Sequence, residues 1–152
     1  MTAGGPQRVL AVASAGGHFQ QLMMLRPAFA HHEAHFLTTL PGLAERFGEQ
    51  AAIVPDCNRN ERLAMARSLL AVRRAVRAVR PSVVISTGAL PGVFALVWGR
   101  RLGARTIWVD SVANAEEMSA SGRLARRWSD LWLTQWEAVA EACGADHAGS
   151  IL

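Results

Sequence analysis

The stretch Val9–Leu22, VLAVASAGGHFQQL, decides the fold. A run of small and branched apolar residues stops at Ser14-Ala15-Gly16-Gly17-His18, and a helical pattern follows. An apolar run without polar alternation reads as a strand buried on both faces, the kind found in parallel sheets. The glycines permit a sharp turn and a close backbone approach to a ligand. The helix behind them directs unpaired N–H groups and partial positive charge at the turn, an arrangement that suits phosphate.

The same alternation continues along the chain. After the strand Arg8 to Ala13 come a helix Phe19 to Ala30 and short strands at Ala34 to Leu37 and Ala51 to Val54. Asn60 to Arg80 forms a long amphipathic helix, because Met65, Leu69, Val72, Val76 and Val79 recur at helical spacing. Arg67, Arg73, Arg74, Arg77 and Arg80 lie off that stripe. Pro81 ends the helix, since proline disfavours helical geometry in the residue before it. Strands then follow at Ser82 to Ser86, Ala104 to Val109 and Leu131 to Thr134, with helices at Pro91 to Arg101, Ser121 to Trp128 and Glu137 to Ala142. The tail His147 to Leu152 offers one more strand. The expected fold is α/β, a Rossmann-like parallel sheet with helices on both faces, in a single domain over 1–152.

With 152 residues, 51% hydrophobic and 18% charged, the chain suits a folded domain and not extended disorder. The net charge is +4, and all 16 basic residues are arginine. Cys57 and Cys143 have no metal-like or redox-like spacing, which fits a reducing compartment. Met1 to Gln7 are too few for a signal peptide. The longest apolar run, Ala89 to Trp98, falls short of the roughly 20 residues that span a bilayer. A soluble or peripheral protein is expected.

In an open parallel sheet, ligands bind beyond the carboxyl ends of the strands. Four polar turns fall there: Ser14 to His18, Ser86-Thr87-Gly88, Asp110-Ser111 and the loop starting Gln135-Trp136. Ser14, Gly16 and Gly17, with Ser86, Thr87 and Gly88 opposite, are candidates for gripping a diphosphate; Ser86 or Thr87 as a helix cap is the competing reading. His18 can donate to phosphate or accept a proton. Asp110 can orient a hydroxyl, act as a base or cap the next segment. The helix from Ala89 to Arg101 is nearly all apolar and ends in Arg100-Arg101. It either packs on the sheet or meets a membrane through Leu90, Phe94, Trp98, Arg100 and Arg101. No G-x-S-x-G elbow is present, since Val12 stands where its first glycine belongs. His31, His32 and His35 lack the ligands to complete a metal site. The arginine-rich helix has no aromatic platform beside it, so a nucleic-acid partner is not expected.

Taken in order, Ser14-Ala15-Gly16-Gly17-His18 with Gln21-Leu22, then Ile85-Ser86-Thr87-Gly88-Ala89 with Pro91, form two blocks. A third comprises Gly103-Ala104, Ile107, Asp110-Ser111, Ser119, Gly122-Arg123-Leu124, Ser129-Asp130 and Thr134-Gln135-Trp136. The ordered set resembles the acceptor-binding, membrane-associated subunit of two-part UDP-sugar transferases. This family includes the eukaryotic protein that helps add the second N-acetylglucosamine to a dolichol pyrophosphate-linked sugar, and bacterial PssD-like proteins of exopolysaccharide assembly. Where the family often has a glutamate before the serine, this chain has Asp110.

The resemblance implies the N-terminal half of a GT-B glycosyltransferase acting by inversion on a polyprenyl-pyrophosphate-linked saccharide, with no cofactor. A companion subunit would carry the UDP-sugar site. In this picture Ser14, Gly16, Gly17, Ser86, Thr87, Gly88, Ser111 and Gln135 line the acceptor and phosphate site, and His18 and Asp110 are the candidate bases. The place of action would be the cytoplasmic face of the plasma membrane, on an anionic lipid surface. The alternative is a non-catalytic scaffold that recruits a transferase to the membrane.

Overall fold

The computed structural model describes residues 4–151. Its strands are β1 Arg8–Ala13, β2 Glu33–Thr38, β3 Ala51–Ile53, β4 Val83–Gly88, β5 Arg105–Val109, β6 Leu131–Thr134 and β7 Asp146–His147. They pair in parallel in the order β3-β2-β1-β4-β5-β6-β7. The helices are α1 Gly17–Leu25, α2 Arg62–Val79, α3 Leu90–Arg101, α4 Ala120–Ala125 and α5 Glu137–Cys143.

Alternation along β1 explains the two cores. Leu10 and Val12 point to one face, where they meet Val72 and Val76 of α2 and Val93 and Leu96 of α3. Val9, Ala11 and Ala13 point to the other, against Phe19 and Leu22 of α1 and Phe29. The first face is covered from α2 across to α5. The second carries only α1 and tight turns, so Ile107 and Leu133 are half-buried there and Leu131 is exposed. Helices therefore lie on both faces as expected, but coverage of the second face stops short of β5 and β6 among the described residues.

Several boundaries differ from the sequence reading. The helix expected to reach Ala30 is α-helical only to Leu25; Pro27 removes an N–H, and Arg26–Phe29 tightens into a 3-10 turn. The expected helix to Trp128 is α4 followed by a 3-10 turn at Arg126–Trp128. A further 3-10 turn at Ala44–Phe47 was not foreseen. The tail strand is only Asp146–His147, with residues 148–151 irregular and Leu152 outside the described residues. Pro81 stops α2 as anticipated: Arg80 takes a left-handed φ of 50° and its N–H still reaches Val76 O.

The strand order reverses between β1 and β4. Their crossovers leave in opposite directions, α1 to one face and α3 to the other, which opens a crevice at the carboxyl rim. Here the β1–β4 register slips: Val12 pairs with Ser86 but Ala13 with Gly88, leaving Thr87 unpaired. That bulge positions the site.

Candidate functional site

The crevice is closed by two reciprocal hydrogen bonds. The Thr87 hydroxyl donates to His18 O at 2.6 Å. The His18 ring lies over Gly88, with Nδ1 3.2 Å from Thr87 O. A carbonyl only accepts, so Nδ1 carries the hydrogen. In the neutral ring Nε2 then holds a free lone pair. Only glycine fits at position 88, because a Cβ there would collide with the imidazole.

Gly16 caps α1 with φ 82° and ψ −141°, and Gly16 and Gly17 are exposed with nothing within 4 Å of where a Cβ would stand. The first-turn N–H groups of α1, which geometry leaves without helical partners, thus meet open space beside His18. Across the crevice Ala89 caps α3 at φ 63°. A non-glycine residue there is strained, a feature that clusters at functional turns. Ser14 is buried, and its hydroxyl has no partner among the described residues.

The other candidate residues turn inward. Ser86 is fully buried; its Oγ accepts from Gly88 N at 3.2 Å and fills the space that the missing Cβ of Gly92 leaves. The Thr87 hydroxyl is committed to His18. Neither side chain caps α3, and the Thr87 hydroxyl is spent on the His18 carbonyl across the crevice, so on this edge the backbone and not the hydroxyls is left for a ligand.

Asp110 is 1% exposed. Its Oδ1 accepts from the Trp108 indole at 3.0 Å and the Ser119 hydroxyl at 2.5 Å. Its Oδ2 accepts from Ser119 N at 2.9 Å and Asn114 Nδ2 at 3.1 Å. Four donors saturate the carboxylate and fold the 111–119 loop around it. With four donors on two oxygens, the geometry of Asp110 favours an anchor over a base. It anchors the loop.

Ser111 and Gln135 join a residue that the sequence analysis left without a role, Gln21. Buried on the inner side of α1, Gln21 donates from Nε2 to Ser111 Oγ at 2.9 Å. Its Oε1 accepts from Val112 N at 3.0 Å and from Gln135 Nε2 at 2.9 Å. Gln135 Nε2 also reaches Asp110 O at 3.0 Å. This network ties α1, one turn past His18, to the loops after β5 and β6. The available signal was an amide between Phe19 and Leu22 on an apolar helix face.

On α3, the side chains considered for a membrane face lie mostly inward. Leu90 is 6% exposed, and Val93, Ala95 and Leu96 are buried between α2 and the sheet. Phe94 and Trp98 pack against the core. The Trp98 indole donates to Leu69 O at 3.3 Å and lies beneath the guanidinium groups of Arg73 and Arg101. Arg100 and Arg101 are exposed, and Arg100 pairs with Asp130 at 2.9 Å. No helix among the described residues is long and apolar enough to cross a membrane. Leu102, which ends α3, is 51% exposed, and α2 adds Leu63 at 66% and Leu70 at 50%, beside Arg67, Arg74 and Arg77, with no acidic residue in α2.

The seven-stranded fold matches the N-terminal half of the GT-B enzyme MurG of Acinetobacter baumannii: TM-score 0.73, 12% identity, 95% of this chain and 46% of that one. A UDP-N-acetylglucosamine 2-epimerase from Rickettsia bellii superposes at TM-score 0.72 with 13% identity, over 96% of this chain and 45% of that chain. At such identities the likeness concerns the fold. In sequence, the chain is 38% identical over 86 residues to the UDP-N-acetylglucosamine transferase subunit ALG14 of Eremothecium gossypii, a match covering 51% of this chain and 38% of that protein. The matches thus span less than half the length of these relatives. No family model matches it.

Proposed function

We propose that this chain is the acceptor-binding part of an inverting, UDP-sugar-dependent glycosyltransferase, completed by a companion chain that carries the nucleotide-sugar site. The acceptor is a saccharide on a polyprenyl diphosphate. Two findings support this reading: the similarity to a UDP-N-acetylglucosamine transferase subunit and a fold shared with the first half of MurG. The observation that carries the mechanism is the His18–Thr87 clamp, which fixes an imidazole tautomer beside two helix starts.

The diphosphate sits on the N–H groups at Gly16 and Gly17, where helix geometry supplies donors and positive potential without a metal. The backbone around Gly88 and Ala89 forms the opposite wall. The Ser14 hydroxyl lies beneath the turn. His18 Nε2 accepts the proton of the attacking acceptor hydroxyl as it displaces UDP from the anomeric carbon. Holding acceptor and donor on facing domains converts an encounter in solution into a pre-oriented one, an effect able to supply ~7 kcal/mol or more of the barrier. Asp110, Ser111, Gln21 and Gln135 hold the rim in shape without touching substrate. Contact with anionic lipid at the cytoplasmic face of the plasma membrane is made by the outer side of α2, where Leu63 and Leu70 stand among arginines.

The test is transfer from radiolabelled UDP-N-acetylglucosamine to a polyprenyl-diphosphate saccharide by the chain co-expressed with its companion. His18→Ala lowers turnover at least about 100-fold, the usual contribution of a positioned base, while circular dichroism and the unfolding midpoint stay near the parent's. Undiminished transfer by His18→Ala would favour the scaffold reading, in which the chain only recruits a transferase.

A further inference from the structure

We propose that the outward face of Trp136 is the platform on which a sugar ring of the acceptor stacks; this rests on the acceptor reading above and names a contact it lacks. The chain has five tryptophans. Trp108 and Trp132 are buried, and Trp98 and Trp128 are half-buried beneath arginine guanidinium groups. Trp136 is 39% exposed, and among the described residues neither a cation nor another ring lies on it. Packing does not account for it.

Its orientation is nonetheless fixed. The indole N–H donates to Val112 O at 2.7 Å, pinning the ring to the loop after β5. Val112 N donates to Gln21 Oε1, and Gln21 stands one turn beyond His18 on α1, a step of ~5 Å. Trp136 therefore belongs to the same rim as the proposed base and diphosphate cradle, within the span of a short saccharide.

The surroundings favour a carbohydrate over a protein partner. The exposed residues next to Trp136 in the chain are Glu137 and Ala138, Ala113 follows its partner Val112, and Thr134 and Gln135 before it are buried and polar. A protein hot spot sits at the centre of a desolvated patch; here the exposed neighbours are alanines and a glutamate, with no large apolar side chain among them to extend the indole into such a patch. A pyranose matches that pattern. Its C–H face covers the indole while its hydroxyls stay in water or meet polar neighbours, since a tryptophan offers an apolar body beside a wet edge.

The experiment uses the full chain labelled with nitrogen-15, in which the five tryptophans give five indole N–H signals. N,N′-Diacetylchitobiose and inorganic pyrophosphate are titrated separately. Chitobiose shifts one indole signal, the one missing from the spectrum of Trp136→Leu, and that variant binds it about 3- to 10-fold more weakly, with Trp136→Phe between the two. In the assembled pair, Trp136→Leu raises KM for the lipid-linked acceptor and leaves kcat nearly unchanged. Pyrophosphate shifts the Gly16 and Gly17 amides and leaves the indole in place. Absence of that amide shift counts against the diphosphate cradle and leaves the platform standing. The platform is overturned if chitobiose moves another indole or none, if Trp136→Leu binds it as well as the parent, or if the variant's only defect is lost pairing with the companion. Amide dispersion like the parent's in Trp136→Phe guards against simple misfolding.

Discussion

Replacing Asp110 by alanine separates an anchor from a base. The carboxylate accepts four hydrogen bonds in a site 1% exposed. Truncation leaves the indole N–H of fully buried Trp108 unpaired and frees Ser119 and Asn114, which are only half-buried and recover water in part. A hydrogen bond to a charged group is worth about 1.5–3 kcal/mol, and a buried orphan donor costs about 1–3 kcal/mol. Counting the Trp108 bond in full and the loop bonds at a fraction gives about 3–5 kcal/mol, a large share of the ~5–15 kcal/mol that holds a domain together. In urea, with m near ~2 kcal/mol/M, the midpoint falls by about 1.5–2.5 M if unfolding is two-state. Asp110→Asn keeps one acceptor oxygen but aims an NH2 at donors, costing about 1–3 kcal/mol. The assay is urea unfolding followed by tryptophan fluorescence, with transfer measured on the same preparations. An unchanged midpoint together with lost transfer would refute the anchor and restore Asp110 as the proton acceptor.

Other outcomes follow from the same geometry. Gly88→Ala drives a methyl group into the imidazole and displaces it from Thr87 O; transfer falls at least 10-fold while the urea midpoint drops by ~1–3 kcal/mol worth of stability, the usual cost of overpacking. Asp130 accepts from Thr106 N at 2.9 Å and lies beside Arg100, which together hold its carboxyl below the ordinary range. Its contribution is present above the unfolded value near ~4 and is lost as pH falls through the lower folded value. Asp130→Asn therefore narrows the stability difference between pH 7 and pH 2.5, as thermal melts would show; an acid limb identical to the parent's contradicts it. Leu63→Ser with Leu70→Ser weakens sedimentation with anionic vesicles while leaving melting unchanged, whereas the same changes at Leu90 unfold the chain; equal vesicle binding rules out the α2 surface.

The reach of the sequence is clearest at individual elements. The apolar runs at Val9–Ala13 and Thr106–Val109, the stripe along α2 and the stop at Pro81 were legible because each follows from local patterning and backbone sterics. The helix from Leu90 left two readings open, packing on the sheet or meeting a membrane, and its burial favours the first. An all-round apolar helix of modest length is a core element; of its terminal arginines, Arg101 lies over Trp98 and Trp128 and Arg100 pairs with Asp130. Gly16, Gly17, His18 and Gly88 lie together at the carboxyl rim of β1 and β4, a placement the turns alone indicate. Whether Asp110 was free or saturated could not be read that way, because its partners, Asn114 and Ser119, are held in place only by the loop it organises. Gln21 was hidden for a related reason: an amide's role depends on which loops approach it, and those come from residues 111 and 135.

The clamp across the crevice also bears on how a catalytic cycle would restart. The inner nitrogen of His18 is tied to Thr87 O on β4, so in the proposed cycle a substrate would meet only the outer nitrogen of the ring. The imidazole need not flip, and no partner has to be exchanged between turnovers.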